Sequence, residues 1–150
     1  MKTKVLMVCL GNICRSPLAE GILKSKVDSN KVEVASAGTG GWHVGELPDP
    51  RSISIAKKHG LDITDQRGKK FSTYDFEIYD HIFVMDNSNF RDVIQLAQNE
   101  TEKQKVQLIL DEIFPGENVD VPDPYYGGDF GFENVFQMLN DACEKIAQRL

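Results

Sequence analysis

The chain has 150 residues, 41% of them hydrophobic and 27% charged, and 17 Lys and Arg against 23 Asp and Glu give it a formal net charge of −6. This composition is typical of one globular domain, and we predict a single domain over residues 1–150 because the length excludes a second full domain. The acidic balance argues against nucleic acid as a partner, since phosphate backbones recruit basic proteins. No segment approaches the roughly 20 apolar residues that span a bilayer, so we predict no membrane insertion.

The three cysteines, Cys9, Cys14 and Cys143, are too few and too unevenly placed for a secreted fold held by disulfides. An odd count also leaves at least one thiol free, which favours a reducing compartment. The apolar run at residues 5–10 is interrupted at once by Gly11, so it does not have the pattern of a signal peptide. We therefore expect a cytoplasmic protein.

The predicted elements begin with a strand and a helix that a short loop joins. Residues 5–9 form a continuous β-prone apolar run, which is typical of a strand that a parallel sheet buries on both faces. A helix is predicted next, because Ser16 offers a capping hydroxyl just before Pro17 at the first helical position, and Leu18 and Ile22 recur at helical spacing. A strand, a tight loop and a helix are typical of the start of an α/β unit.

The same alternation continues along the chain. Asp49 and Pro50 begin a helix that ends near His59, where Gly60 supplies the stop signal. The other elements are predicted from the same signals: strands 32–37, 81–85 and 106–110, and helices 71–78, 88–98 and 132–149. Glycines and prolines mark the long loops at 38–48 and 120–128.

Four strands that alternate with helices predict an α/β fold of three layers, in which a four-stranded, mostly parallel open sheet carries helices on both faces. Ligands of such sheets bind beyond the carboxyl ends of the strands. That rule selects four candidate segments: 9–16, 36–42, 86–88 and 119–126.

The first segment, Cys9-Leu10-Gly11-Asn12-Ile13-Cys14-Arg15-Ser16, places a thiol at the end of a buried strand and an arginine at the mouth of a helix. Backbone N–H groups of a short loop can converge on phosphate oxygens, a helix N-terminus adds partial positive charge, and an arginine binds two oxygens. The segment is therefore suited to a tetrahedral dianion. The same positive field favours the thiolate, which is the nucleophilic form of a cysteine.

Three residues support this phosphate-binding loop after the first strand. Gly11 and Asn12 tolerate the positive φ that a tightly curled loop needs. Ser16 can donate a hydrogen bond to the sulfur of Cys9, both as the thiolate attacks and as it later leaves.

The ten-residue block from Val8 to Pro17 resembles the signature loop of the low-molecular-weight protein tyrosine phosphatases. A Cys and an Arg at this spacing are a weak signal alone, but the whole block near the start of a 150-residue chain is specific. The resemblance extends over nearly the whole chain, through Ser36-Ala37-Gly38-Thr39, Trp42, Pro48-Asp49-Pro50-Arg51, Met85-Asp86-Asn87-Ser88-Asn89 and Asp123-Pro124-Tyr125-Tyr126-Gly127.

The resemblance implies hydrolysis of phosphotyrosine through a phosphocysteine, with no cofactor and no metal. Cys9 would attack phosphorus, Arg15 would hold the phosphoryl oxygens, and Asp123 would protonate the leaving phenolate and then activate water. A positioned acid typically contributes about 10²–10⁴-fold to the rate. Asp120 lies in the same loop, and spacing alone does not separate the two aspartates, but the Asp-Pro-Tyr-Tyr match favours Asp123.

The resemblance also implies a substrate pocket with aromatic walls. Its predicted substrate-binding residues are Leu10, Gly11, Asn12, Ile13, Cys14, Ser16, Trp42, Tyr125 and Tyr126, and Tyr126 is equally compatible with a solvated side chain. Ser36 is predicted to hold the loop from behind by hydrogen bonds. A deep slot favours phosphotyrosine, because the shorter arms of phosphoserine and phosphothreonine do not reach its floor.

The cysteines admit other roles. Cys14 is either a small core residue or a resolving thiol that captures oxidised Cys9 as a disulfide, and the resemblance favours this redox role. Cys143 lies on the apolar face of the last predicted helix and is expected to be structural. Cys9 and Cys14 have a spacing that zinc sites permit, but the chain offers no second pair of ligands.

Two further positions are informative. His43 is expected to be an exposed loop histidine, with contact to the slot rim as the alternative. At the position of Gln66, many family members carry a histidine that supports the loop asparagine. A glutamine can still form a hydrogen bond there, but it cannot carry a charge.

Four other functions compete with a tyrosine phosphatase. An arginine phosphatase shares the scaffold, but that subgroup has threonine at the position of Ile13. An arsenate reductase needs further cysteines near residues 80–90, and residues 81–90 contain none. A phosphocarrier of sugar transport, or a silent phosphate-binding module, has less need of Asp123. The expected partners are tyrosine-phosphorylated proteins, a tyrosine kinase among the candidates, and the expected assembly is a monomer or a weak dimer.

Overall fold

The computed structural model describes residues 2–124 and 128–150. The strands are β1 (Thr3–Cys9), β2 (Val32–Gly38), β3 (His81–Val84) and β4 (Val106–Leu108). The helices are α1 (Arg15–Lys24), α2 (Pro50–Lys58), α3 (Asp75–Ile78), α4 (Asn87–Leu96), α5 (Glu100–Gln104) and α6 (Gly128–Arg149), and a 3₁₀ helix covers Ile109–Glu112.

The four strands form one parallel sheet in the order β2-β1-β3-β4. In this sheet β1 lies between β2 and β3, so that Met7 pairs with Ser36 on one side and with Phe83 on the other. The chain therefore crosses from β1 to one neighbour first and reaches the other neighbour later. In open sheets the ligand site lies at the carboxyl edge where the strand order reverses in this way.

Alternate residues of β1 enter two separate cores. Val5 and Met7 pack with residues of α1, α2 and α6 on one face of the sheet, and Leu6 and Val8 pack with residues of α3 and α4 on the other. All four side chains are fully buried. Because side chains of a strand alternate between faces, a continuous apolar run is what a sheet covered on both sides requires. The predicted three-layer α/β fold is confirmed.

The last predicted helix begins earlier than expected, at Gly128 rather than at residue 132. Its first turn contains Gly131, and a Cβ at this residue would come within 2.8 Å of the carbonyl oxygen of Pro124. The glycine therefore permits close packing of the helix on the preceding loop, rather than marking the loop itself. The strand predicted at 106–110 is also shorter, because the chain enters the 3₁₀ helix after Leu108.

Helix α5 was not predicted, because its residues are polar throughout and show no apolar periodicity. The sequence signal for this helix lies in its capping residues instead. Asn99 caps the helix by accepting a hydrogen bond from the backbone N–H of Glu102, whose carboxylate accepts one from the backbone N–H of Gln98. This exchange is close to a capping box, which is recognisable from a cap residue followed three positions later by glutamate.

Cys143 of α6 provides a test of the packing between α6 and α1. Its Sγ lies 3.7 Å from the carbonyl oxygen of Ala19, and burial raises the pKa of the thiol from its ordinary value of 9.0 to about 12. The native state therefore holds this proton more tightly than the unfolded state does. The contribution of the protonated Cys143 thiol to the free energy of unfolding is therefore fully present below about pH 9, and it is lost as the pH rises towards 12.

We expect Cys143 to resist iodoacetamide in the native protein at neutral pH, because only the thiolate reacts. Peptide mass spectrometry after labelling measures this directly. The control is the same labelling after unfolding in guanidinium chloride, which should modify Cys143 fully. Native labelling of Cys143 as fast as in the unfolded chain would contradict the described packing.

Candidate active site

The loop that follows β1 encloses a cavity of about 170 Å³ at the carboxyl edge of the sheet. Cys9 and Arg15 stand at the two ends of this loop and both line the cavity. Asp123, which is distant in sequence, lines it as well. The structure therefore brings the three predicted catalytic residues to one cavity. Its other lining residues are Leu10, Gly11, Ile13, Cys14, Trp42, His43 and Pro124.

Two hydrogen bonds reach the sulfur of Cys9. The backbone N–H of Asn12 donates to Sγ at 3.2 Å, and the hydroxyl of Ser16 lies 2.9 Å from it. The Ser16 hydroxyl also accepts a hydrogen bond from Nδ2 of Asn12 at 2.8 Å, and it donates its own proton to the sulfur whenever Cys9 is a thiolate, which has no proton to donate. Two donors on one sulfur favour its negatively charged form.

Asn12 carries the tight turn of the loop, with a φ of 58°. Of the two residues predicted to tolerate a positive φ here, Gly11 and Asn12, only Asn12 adopts one. Its amide is engaged on both sides: Nδ2 donates to the hydroxyls of Ser16 and Ser36, and Oδ1 accepts from the backbone N–H of Lys69 at 3.0 Å. Asparagine tolerates the left-handed conformation, and these bonds hold it there.

The end of β2 supports the loop from below. Gly38 lies so close that a Cβ would come within 2.8 Å of the carbonyl oxygen of Leu10 and 3.0 Å of the backbone nitrogen of Asn12. The next two amides, of Thr39 and Gly40, donate to the carbonyls of Cys9 and Leu10 at 2.9 and 2.8 Å. Glycine at position 38 is therefore a requirement of close backbone approach.

The prediction that Ser16 caps helix α1 is wrong. The helix begins at Arg15, with Cys14 at the N-cap and no side-chain capping hydrogen bond. The hydroxyl of Ser16 serves the sulfur of Cys9 instead. A helix N-terminus without a side-chain cap, directed at a cavity, is well suited to bind an anion.

Arg15 is held by two acceptors from distant parts of the chain. Its Nη1 donates to Oδ2 of Asp86 at 2.8 Å and to the carbonyl of Val121 at 2.9 Å. Asp86 also caps α4, since its other oxygen accepts from the backbone N–H of Asn89 at 2.7 Å. Residues 86–88 are selected by their place after a predicted strand, but the sequence pattern gives Asp86 no predicted role. A carboxylate between a strand end and a helix start was the available signal.

Asp120 and Asp123, the two aspartates of the loop before α6, have different surroundings. Asp120 accepts from the backbone N–H of Asn87 at 2.8 Å and from its side-chain Nδ2 at 2.6 Å, so it ties the loop to the start of α4. Asp123 faces the cavity, next to Pro124. Tyr125 and Tyr126, the predicted aromatic wall of this loop, lie outside the described residues.

Trp42 and His43 also line the cavity. Trp42 is 69% exposed, and its indole lies against Gly40, where a Cβ would overlap atoms of the six-membered ring. His43 was expected to be an exposed loop residue, but it is only partly exposed and lines the cavity. Its ring carbon Cδ2 lies beside Gly11, and its Nδ1 lies 2.9 Å from a carboxylate oxygen of Glu46.

The side chains of three predicted site residues do not line the cavity. Asn12, Ser16 and Ser36 are buried and are not among the lining residues, so their side chains act on the loop and on the sulfur. Gln66 donates to the carbonyl of Pro17 at 3.1 Å. Its buried Oε1 has no hydrogen-bond partner among the described residues.

Within residues 2–124 and 128–150, no group of three or more His, Cys, Asp and Glu side chains is placed to hold a metal ion. In the same part of the chain, no helix has the length and apolar character that crossing a membrane requires. The three cysteines are all free thiols.

Comparison with known proteins agrees with this site. A model of the low molecular weight phosphotyrosine protein phosphatase family matches residues 4–150. The chain belongs to this family. Among curated relatives, the low molecular weight phosphotyrosine protein phosphatase of Schizosaccharomyces pombe is 43% identical over 152 residues, which cover 98% of this chain and 96% of the relative.

Solved structures of other family members have the same fold. A protein tyrosine phosphatase from Entamoeba histolytica aligns with a TM-score of 0.91 and 37% identity, over 99% of this chain and 96% of that one. An arginine phosphatase from Drosophila aligns with a TM-score of 0.87 and 37% identity, over 99% of this chain and 97% of that one. This family member therefore has neighbours with two different phosphoryl substrates.

The contact between Trp42 and Gly40 generates a prediction on aromatic recognition. Gly40→Ala should displace the indole and weaken binding of benzylphosphonate by about two- to tenfold, because an aromatic pair contributes roughly 0.5–1.5 kcal/mol. Binding of inorganic phosphate, which has no ring, should change much less. Isothermal titration calorimetry measures both affinities.

Gly41→Ala is the matched control, since a Cβ there would meet only the flexible side chain of Lys70, at 3.3 Å. This variant should bind both ligands as the wild type does. An equal loss of benzylphosphonate affinity in the two variants would show that the indole is not positioned by Gly40.

Proposed function

We propose that this chain hydrolyses phosphotyrosine in proteins, with Cys9 as the nucleophile, Arg15 as the group that binds the phosphoryl oxygens and Asp123 as the general acid. One observation supports this proposal most strongly. Cys9, Arg15 and Asp123 line one cavity, and the sulfur of Cys9 receives hydrogen bonds from Asn12 and Ser16. The membership of the chain in its family supports the same activity.

In the first step the thiolate of Cys9 attacks phosphorus and forms an S–P bond, while the bond from phosphorus to the phenolic oxygen breaks. Asp123 gives its proton to that oxygen, so tyrosine leaves as a neutral phenol. The two N–H groups of Nη1 of Arg15 are used by Asp86 and Val121. We therefore assign the phosphoryl oxygens to the remaining donors of the guanidinium, on Nε and Nη2.

In the second step water attacks the phosphocysteine. Asp123, now a carboxylate, takes a proton from that water, the S–P bond breaks, and Cys9 leaves as a thiolate. The hydrogen bonds from Asn12 and Ser16 stabilise this leaving thiolate just as they stabilise it for attack. Inorganic phosphate is the second product, and the enzyme returns to its starting protonation state.

Selectivity for an aromatic substrate follows from the rim of the cavity. Trp42 lines the cavity, and we assign Tyr125 and Tyr126, which lie outside the described residues, to binding of the same aromatic ring. Leu10, Gly11, Ile13 and Cys14 form the floor and sides around the phosphate. A phosphate that must reach the floor past an aromatic rim favours the long arm of phosphotyrosine over phosphoserine.

Two further assignments belong to this proposal. Cys14 is buried in the same loop as Cys9, and we assign it the role of the resolving thiol when Cys9 is oxidised. We also assign the protein to the cytoplasm, because three free thiols suit a reducing compartment.

A phosphoarginine phosphatase is the second candidate. The Drosophila arginine phosphatase has the same fold at 37% identity, so the scaffold alone does not separate the two substrates. Ile13 lines the cavity of this chain, where the arginine-specific subgroup is expected to carry threonine. The bulkier apolar side chain favours contact with an aromatic ring over contact with a charged guanidinium group.

The proposal predicts turnover of p-nitrophenyl phosphate in reduced buffer with EDTA, and preference for a phosphotyrosine peptide over matched phosphoserine and phosphoarginine peptides. Cys9→Ser should abolish hydrolysis of every substrate. Asp123→Asn should lower kcat by about 10²–10⁴-fold for phosphotyrosine and by less for p-nitrophenyl phosphate, whose leaving group needs less protonation. Steady-state kinetics on the three proteins measures these effects.

Asp120→Asn is the comparison variant for Asp123, since its amide oxygen can still accept from Asn87. Its loss of kcat should be much smaller. A larger loss at Asp120 than at Asp123 would reverse the assignment of the acid. Preference for phosphoarginine would favour the second candidate, and an inactive wild type would refute both.

A further inference from the structure

Glu20 is a buried charged residue on α1 that the proposed chemistry leaves unused. Its side chain is 8% exposed and lies between two partners. Oε1 accepts from the hydroxyl of Ser36 on β2 at 2.6 Å, and Oε2 accepts from the ammonium group of Lys24 at 2.6 Å. A carboxylate is costly to bury unless it is paired and hydrogen-bonded, so both partners are needed to keep it there.

The carboxylate sets the direction of the Ser36 hydroxyl. Because Ser36 donates its single hydroxyl proton to Glu20, that proton is not available to Asn12. The lone pairs of Ser36 then face Nδ2 of Asn12, which donates to them at 3.0 Å. A serine hydroxyl has one proton and two acceptor positions, so this arrangement uses the proton and one of the acceptor positions.

Further hydrogen bonds connect Ser36, through Asn12 and Ser16, to the sulfur of Cys9. Asn12 has both N–H groups of its amide committed, one to Ser36 and one to Ser16. Ser16, which accepts from Asn12, has its own proton left for Sγ of Cys9 at 2.9 Å. A continuous series of side-chain hydrogen bonds therefore runs from Glu20 to Cys9, and Ser16 is the donor of its last bond whenever Cys9 is a thiolate.

The same series supports the second donor to the sulfur. The backbone N–H of Asn12 reaches Sγ because the residue is held at a φ of 58°. Two of the three hydrogen bonds of its side chain go to serines, and one of those serines is held by Glu20. Gln66 provides no equivalent support on this side, because its amide donates to the carbonyl of Pro17 and its Oε1 is left without a partner among the described residues.

We propose that Glu20 is a positioning residue for the thiolate of Cys9, acting through the hydroxyl of Ser36 and the amide of Asn12, with Lys24 as the cation that pairs with its second carboxylate oxygen. The proposal deepens the proposed function and rests on it. It involves no contact between Glu20 and the substrate, so its effect must pass through Ser36.

The test is a double-mutant cycle on Glu20 and Ser36 that measures the rate at which iodoacetate alkylates Cys9 at mildly acidic pH, with peptide mass spectrometry to identify the modified residue. Glu20→Ala and Ser36→Ala should each slow alkylation by roughly three- to tenfold, since weaker hydrogen bonds leave less thiolate. The double variant should be no slower than Ser36→Ala alone. Thermal unfolding shows that the four proteins are folded.

Glu20→Gln is the shape-conserving variant if Glu20→Ala does not fold. The amide nitrogen of glutamine donates and cannot accept, so either Ser36 or Lys24 loses its acceptor, and the alkylation rate should fall between those of the wild type and Ser36→Ala. Alkylation of either Glu20 variant at the wild-type rate would overturn the proposal. The proposal would also be overturned if Glu20→Ala slowed alkylation by the same factor in the wild type and in the Ser36→Ala background.

Glu144→Ala is the matched control, because Glu144 also pairs with a lysine, Lys26, at 3.0 Å. Unlike Glu20, Glu144 is an exposed residue. This variant loses a lysine partner but has no link to the loop, so alkylation should proceed at the wild-type rate. Slower alkylation of the Glu144 variant would overturn the proposal by showing a general effect of charge. Hydrolysis of p-nitrophenyl phosphate is measured in parallel, and a wild type that is alkylated at Cys9 but hydrolyses nothing would refute the proposed function while leaving the cycle interpretable.

Discussion

The left-handed turn at Asn12 is the constraint on which the rest of the site depends. With a φ of 58°, this residue directs its backbone N–H at the sulfur of Cys9 and its side chain at Ser16, Ser36 and Lys69. An asparagine at this φ is uncommon, and it persists because three side-chain hydrogen bonds hold it. The loop therefore keeps its anion-binding shape through the protein's own contacts.

The parallel sheet supplies those contacts by bringing the carboxyl ends of its strands together. The end of β1 provides Cys9, and the end of β2 provides Ser36 and Gly38, which lie beneath the loop. Asp86, the second residue after β3, binds Arg15. Each group lies far from the others in sequence, but strand pairing sets its position. The geometry around the sulfur of Cys9 is therefore a property of the whole sheet edge, including Glu20 on the helix that covers it.

The sequence was sufficient for the features that local patterns determine. The run at 5–9 showed a strand buried on both faces, and Asp49 with Pro50 marked the start of α2, where Asp49 does accept from the backbone N–H of Arg51. The start of α1 was wrong because the long-range use of Ser16 by Cys9 overrode its capping preference. The contacts of Asp86 and Glu20 depend on which strands are neighbours, and no local pattern carries that information. Asp120 and Asp123 were separable only by family resemblance until the contact with Asn87 distinguished them.

The most direct test of the central claim is to trap the covalent intermediate. Asp123→Asn is mixed with p-nitrophenyl phosphate, quenched in acid within milliseconds, and examined by intact-protein and peptide mass spectrometry. Loss of the carboxylate should slow hydrolysis of the intermediate more than its formation from this good leaving group, so one phosphoryl group should accumulate on the peptide that contains Cys9. Phosphate on any other residue, or turnover without a phosphorylated Cys9, would contradict the account.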